Sequence, residues 1–131
     1  MKRVKTSELT GAALDWAVAV CLGAVWQPKS ARASFFIWPG TPVKYSANAP
    51  RYSTDWAQGG PIIDREQIDL MHAVEGSLHW NQGIKCTAHW RKKSVSMQMY
   101  CGGPTPLVAA MRCYVASKLG DEVDVPEELM K

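Results

Sequence analysis

The stretch IKCTAHWRKKSVSMQMYC, residues 84–101, decides the fold class. Apolar and polar side chains alternate through its first seven residues and again through its last seven. A period of two is typical of strands that have one face in a core and the other in water. Residues 91–94 separate the two runs, so the sequence predicts an antiparallel hairpin with one apolar face.

The strongest helix signal follows this hairpin. Thr105 is a capping residue, Pro106 suits a first helical turn, and Gly120 ends the segment. Apolar residues recur every three or four positions between them, at Leu107, Ala110, Met111, Tyr114, Val115 and Leu119. These features predict a helix with one continuous core stripe.

A second long helix is predicted from about Ser7 to Leu22, with Thr6 or Ser7 as its cap and Gly23 as its end. It carries two apolar stripes on opposite sides. One stripe is Leu9, Ala13, Trp16 and Val20, and the other is Leu14, Val18, Leu22 and Val25. The second stripe needs a cover, which a homodimer through this helix or the segment 27–51 could provide.

Local signals predict shorter elements elsewhere. Pro61 is expected to begin a brief helix that ends near Gln67. The strand candidates are Lys2–Lys5, Ser34–Trp38, Val43–Tyr45, Ile68–His72 and Val123–Val125. Together the elements predict an α+β fold, a single layer pair in which two long helices pack on one antiparallel sheet of four to five short strands.

The length of 131 residues, with 47% apolar and 21% charged side chains, is typical of one soluble globular domain, residues 1–131. The net charge of +3 is unevenly distributed. Residues 121–131 hold five acidic residues and one Lys, whereas residues 1–120 hold fourteen basic and seven acidic residues. The sequence predicts an acidic, partly disordered tail at 120–131 and a basic body that allows an anionic partner such as nucleic acid.

The four cysteines form no CxxC pair, which favours reduced thiols and a cytoplasmic protein. Glu8 and Asp15 interrupt the N-terminal apolar stretch, which argues against a signal peptide, and no apolar run approaches the ~18 residues of a membrane helix. The potential metal ligands that lie closest together in the sequence are His79, Cys86 and His89. Cys86 and His89 are an odd number of positions apart and should face opposite sides of a strand, so they cannot bind one metal ion together. No metal, cofactor or membrane partner is predicted.

The segment Tyr52–Gly60, YSTDWAQGG, is the candidate binding site, here called the YSTDWAQGG segment. A polar loop that leads into a helix offers unpaired N–H groups, side-chain donors and a stacking surface. The predicted ligand contacts are Ser53, Thr54, Asp55, Trp56, Gln58, Gly59 and Gly60. The structural alternative is a turn in which Asp55 and Thr54 cap local N–H groups and Trp56 anchors the loop in the core.

A basic turn is the second candidate site. Arg91, Lys92 and Lys93 follow Trp90, and basic residues beside an aromatic ring can contact phosphates and stack on a base. Charged turns also protect sheet edges without any ligand. A nucleic-acid contact and a solvated turn are therefore both open.

Three blocks of the sequence resemble the NinX-like phage proteins. They are KTSELTG with ALDWAVA in residues 5–19, YSTDWAQGGPIIDRE in residues 52–66, and GPTPLVAAMRCYVASKLGDEVDVP in residues 103–126. The resemblance implies a small protein of tailed phages or prophages, made in the host bacterial cytoplasm, from a family with no established biochemical activity. Within these blocks, Asp15 and Arg112 lie about 130° from their helix's core stripe, and so they join the candidate site.

The leading hypothesis is a non-catalytic phage accessory protein that binds a ligand, or a host or phage partner, in a groove floored by Trp56. Arg112 would be an anion contact there. The first alternative is a nucleic-acid-associated protein of phage recombination or early functions. The second is a small enzyme on an anionic substrate with Asp55 as base, which is less favoured because no His, Cys or second carboxylate is spaced to complete a mechanism.

Overall fold

The computed structural model describes residues 2–23, 25–27, 35–37, 44–45, 51–91, 98–126 and 129. Its helices are α1 Gly11–Cys21, α2 Trp56–Glu66, α3 Leu78–Asn81 and α4 Pro106–Leu119. Its strands are β1 Lys2–Lys5, β2 Val25–Gln27, β3 Phe35–Ile37, β4 Lys44–Tyr45, β5 Asp69–His72, β6 Cys86–Arg91, β7 Gln98–Gly103 and β8 Glu122–Val125. The predicted α+β class is confirmed.

In the described part of the chain the strands form three small antiparallel sheets and there are four helices, so neither the single sheet of four to five strands nor the pair of long helices is confirmed. The sheets are β1–β8, β2–β3–β4 and β5–β6–β7. Alternation along a strand indicates which side chains face a core, but it does not specify the partner strand. The pairing of β1 with β8 joins the two ends of the described chain, which no local pattern predicts.

The predicted hairpin is confirmed as β6 and β7, with Ala88 opposite Cys101. Cys86, Ala88 and Cys101 are buried against α4, as their spacing predicts. Thr87 is also buried, although alternation placed it on the wet face. The intervening residues 92–97 lie outside the described residues.

Helix α4 is the central element of the core. Every residue from Leu107 to Ala116 is buried, because α1, α2 and the strands β5, β6 and β7 pack on different sides of it. The predicted cap is confirmed, since Thr105 Oγ1 accepts a hydrogen bond from Val108 N at 3.2 Å. At the N-terminal end of α4, a Cβ on Gly103 would lie 2.8 Å from Ala109 N, so only glycine permits this strand-to-helix approach.

Helix α1 begins at Gly11, four residues later than predicted, because a separate 3-10 turn occupies Thr6–Glu8. Thr6 does not cap α1. Its hydroxyl donates to the Gly120 carbonyl at 2.6 Å, and its N–H donates to the Asp121 carbonyl at 2.8 Å. Thr6 therefore ties the N-terminal segment to the end of α4.

The residues of both apolar stripes whose burial is described are buried or half-buried within a single chain. Leu14 and Val18 of the second stripe are completely buried, Leu22 is half-buried, and Val25 begins β2. Helix α4 and strand β8 are among the elements that contact α1, and most of segment 27–51 lies outside the described residues. The apolar surface that motivated a dimer at this helix is absent at Leu14 and Val18, and the oligomeric state itself stays a prediction.

The acidic segment begins with an ordered strand. Val123 and Val125 are buried, and Arg3 of β1 forms ion pairs with Asp124 at 3.2 Å and Glu122 at 3.5 Å. These exposed ion pairs stabilise the fold only slightly, so the buried valines hold β8 in place. None of the helices in the described ranges is long and apolar enough to cross a membrane.

Candidate functional site

Most of the YSTDWAQGG segment is helical. A turn over residues 52–54 leads to Asp55, and α2 begins at Trp56 rather than at the predicted Pro61. Asp55 Oδ1 accepts from Ala57 N at 2.9 Å, which makes Asp55 the N-cap. Pro61 lies inside the helix, where it can donate no backbone hydrogen bond. The N–H groups that the sequence suggested for a ligand are thus in the first turns of a helix.

The polar side chains at this helix start bond to one another. Gln58 Oε1 accepts from Arg51 N at 2.7 Å, and Gln58 Nε2 donates to Asp55 Oδ2 at 3.4 Å. These contacts close the turn around the cap. For Asp55 the structure therefore agrees with the local-capping alternative, and neither Asp55 nor Gln58 presents an uncommitted side chain.

The two glycines of the segment have different surroundings. A Cβ on Gly59 would collide with the Tyr52 carbonyl oxygen and lie 2.7 Å from Leu107 Cδ2 of α4. A Cβ on Gly60 would meet only Trp56 Cε3, at 3.9 Å. Gly59 is therefore explained by close packing of α2 against the turn and α4, without a ligand.

Asp15 reaches the YSTDWAQGG segment from α1. Its Oδ1 accepts a hydrogen bond from Ser53 N at 2.8 Å, and both residues are buried. Burial raises the pKa of Asp15, and its contacts with Ser53 and the charge of Arg51 oppose this only in part. Asp15 therefore fixes the turn that precedes α2.

Two buried side-chain atoms in the described part of the chain have no hydrogen-bond partner. They are Ser53 Oγ, beside Asp15 on the turn, and Trp16 Nε1, on the residue that follows Asp15. Unpaired polar atoms in a core cost stability.

Arg112 is not at this site. Its side chain is buried, with Nε donating to the Leu9 carbonyl at 2.8 Å and Nη1 donating to the Gly102 carbonyl at 2.9 Å. Burial lowers the pKa of Arg112. Arg112 thus forms a link between β7 and the segment before α1, and its role as an anion contact stays a prediction.

Trp56 differs most from its predicted environment. The sequence placed it at the floor of a groove or in the core, but 55% of its surface is exposed. Arg51 and Thr54, on the turn just before α2, are exposed as well. We call these three residues the Trp56 surface. It joins two exposed residues of the predicted site, Thr54 and Trp56, with Arg51, which was not among the predicted ligand contacts.

The structure also reveals a polar cluster that sequence reasoning did not single out. Asp69 of β5 lies opposite His89 of β6, and Thr87 Oγ1 is 3.5 Å from His89 Nε2. The β5–β6 register, which was not predicted, brings them together. Within the described ranges, no three potential metal ligands converge.

The basic turn remains a prediction. Arg91 is the last residue of β6, and Lys92 and Lys93 lie outside the described residues.

The role of Asp15 leads to a prediction on stability and pH. Asp15→Asn keeps an acceptor for Ser53 N and removes the buried charge, so it should leave the stability unchanged or raised at neutral pH. Asp15→Ala removes the acceptor and should lower the free energy of unfolding by about 1 kcal/mol, as expected for an unpaired buried N–H.

The sign of the pH dependence follows from the raised pKa of Asp15. The folded state holds the proton more tightly, so wild-type stability should fall as pH rises from the ordinary Asp range to the raised value. As the pH is lowered from 7 towards about 4, the free energy of unfolding of the wild type should rise relative to that of Asp15→Asn. Urea unfolding across this range measures the difference, and a constant difference would contradict the assignment.

A family model described as Bacteriophage P22, NinX matches residues 5–118. The match includes residues 27–51 and 72–102, which carry none of the three blocks recognised in the sequence. No curated protein matches the chain.

Proposed function

Since the chain belongs to the NinX family of bacteriophage proteins, we propose that it is a non-catalytic accessory protein that binds a phage or host protein through the Trp56 surface. The observation that carries this proposal is the 55% exposure of the Trp56 indole. Tryptophan is enriched among the few residues that dominate binding energy at protein interfaces. A large ring left in water at this point would gain from burial against a partner.

The hydrogen bonds that hold the turn and helix start around Trp56 favour a role in binding. Asp55 caps the helix that begins at Trp56, and the Arg51–Gln58 and Asp15–Ser53 hydrogen bonds hold the preceding turn. A surface that is already ordered loses less conformational entropy when it binds. The Trp56 surface is thus built as a preorganised contact.

The same hydrogen bonds argue against a catalytic role. A general base must reach a substrate proton with an available acceptor, usually with a second group to complete the reaction. Asp55 uses one oxygen as the helix cap and directs the other to Gln58. The enzyme alternative therefore has less support than binding.

Replacement of the indole tests the proposal. We expect Trp56→Ala to weaken partner binding by about thirtyfold, the size of a typical hot-spot loss. Equal amounts of wild type and variant would be immobilised and exposed to lysate of phage-producing cells, and retained proteins quantified. Direct titration with the purified partner would then give the affinity ratio.

Leu119→Ala is the matched control, because Leu119 is also an exposed large apolar residue, at the end of α4. It should retain the partner as the wild type does. Thermal unfolding of both variants verifies the fold. Equal retention of every specific partner by Trp56→Ala and wild type would exclude this surface.

A further inference from the structure

Strand β5 is an edge strand with an open side. It pairs with β6, and in the described part of the chain no strand pairs with its other side. Just past β5, Ala73 N donates to the Lys85 carbonyl at 2.9 Å, towards the β6 side. Backbone groups alternate in direction along an antiparallel strand, so the N–H and C=O groups of Leu70 and His72 point away from β6.

Exposed apolar side chains lie beside this edge. Met71 is 63% exposed, Val74 is 75% exposed and Leu78 is 73% exposed. They occupy β5, the turn that follows it and the first residue of α3. Large exposed apolar side chains on neighbouring elements make this part of the surface a candidate for interaction.

We propose that a second copy of this chain pairs antiparallel with β5 around a two-fold axis, which joins two three-stranded sheets into one of six strands. Leu70 lies opposite the partner subunit's His72, and His72 lies opposite the partner subunit's Leu70. Each opposed pair exchanges two hydrogen bonds, so four backbone bonds form across the axis. Met71 lies opposite Met71 of the partner subunit.

Self-complementarity is the reason for choosing a second copy. The outward-facing residues Leu70 and His72 are two positions apart. The backbone donors and acceptors of one strand therefore lie opposite the acceptors and donors of the same strand in the second copy. This register also keeps the same sheet face on one side in both subunits, so the exposed Met71 side chains cover each other. The edge has no Lys, Pro or bulge, although Asp69 and the four-residue length of β5 give it some protection against strand addition.

The size of the contact sets the expected strength. Four residues of edge and three apolar side chains per copy are small beside the roughly 800 Å² per partner of standard stable interfaces. The dimer should therefore be weak, with a dissociation constant of about 100 µM.

Cysteine cross-linking tests the register. Residue 71 is the only β5 position that faces itself across the axis, in a non-hydrogen-bonded pair with closely spaced Cβ atoms. Met71→Cys should therefore form a disulfide-linked dimer under mild oxidation at high protein concentration. Asp69→Cys is the matched control, because its position faces residue 73 of the partner and should not cross-link to itself. The native cysteines are buried or half-buried, namely Cys21, Cys86, Cys101 and Cys113. Oxidation of the wild type measures the background of cross-linking through them.

Sedimentation equilibrium provides a second readout that does not depend on cysteine. The wild type should approach a dimer at about 1 mM. Met71→Lys should raise the dissociation constant at least tenfold, because two charges would meet at the axis, whereas Leu119→Lys should leave it unchanged. A wild type that stays monomeric at this concentration, or cross-linking of Asp69→Cys equal to that of Met71→Cys, would overturn the proposal. The Trp56 surface is not involved, so failure here leaves the proposed function standing.

Discussion

Arg112→Met should lower the free energy of unfolding by about 3 kcal/mol. The guanidinium donates to two backbone carbonyls, that of Leu9 in a buried hydrogen bond and that of Gly102 in a half-buried one. Methionine retains an unbranched apolar side chain but donates no hydrogen bond, so both carbonyls lose this donor. Each unsatisfied buried acceptor costs about 1–3 kcal/mol. Relief of the cost of burying the Arg112 charge offsets part of that loss.

Chemical denaturation monitored by circular dichroism measures this change. Lys118→Met is the control, since Lys118 is an exposed cation on the same helix with two long contacts, a 4.0 Å ion pair with Glu66 and a 6.0 Å approach to the Tyr114 ring. It should change the stability by less than about 0.5 kcal/mol. Arg112→Lys should be intermediate, because one ammonium replaces the two nitrogen donors of the fork. A loss below about 1 kcal/mol for Arg112→Met would show that the carbonyls do not depend on this side chain.

The role of Arg112 illustrates what periodicity could not predict. Arg112 does lie away from the apolar stripe that the sequence identified. However, α4 is buried on all sides from Leu107 to Ala116, so a position away from that stripe is not exposed. The position opposite the stripe faces other segments of the same chain rather than solvent. The spacing of apolar residues identified the helix, while the backbone carbonyls that meet its far side come from β7 and the segment before α1.

Elements with strong local signals were predicted closely. The Thr105 cap, the hairpin of β6 and β7 and the strand at Val123 and Val125 each depend on neighbouring residues, and the structure contains all three. The division into three sheets depends on pairing between distant segments, such as β1 with β8. Pairing of this kind is decided by the packing of the whole chain.

The start of α2 shows two local signals in conflict. Pro61 suits a first turn, whereas Asp55 suits an N-cap and is followed by Gln58 at the third helical position. The cap prevails, because the Asp55 side chain satisfies Ala57 N and the first turn packs through Gly59. Asp55 and Gln58 of the predicted loop thus stabilise the helix start, and their role in ligand binding stays a prediction. Only the structure could show that the ring of Trp56 is exposed.

The paired glycines of this helix give the last prediction. Gly59→Ala should lower the free energy of unfolding by about 2 kcal/mol. The new Cβ would collide with a backbone carbonyl, that of Tyr52, and with Leu107 Cδ2, so relief requires movement of the turn or of the packed helix. Overpacking of this kind costs about 1–3 kcal/mol, and a clash with backbone belongs at the upper end. The helix propensity of alanine returns about 1 kcal/mol of that cost.

Gly60→Ala should have the opposite sign, because its Cβ would make only an ordinary 3.9 Å contact with Trp56. The same propensity gain then stabilises the protein by up to about 1 kcal/mol. The two variants are adjacent and chemically identical, so urea unfolding of both isolates the packing effect from helix propensity. Equal stabilisation by both would mean that α2 does not approach Tyr52 and Leu107 this closely. Destabilisation by both would mean instead that residue 60 also lies in a tight contact.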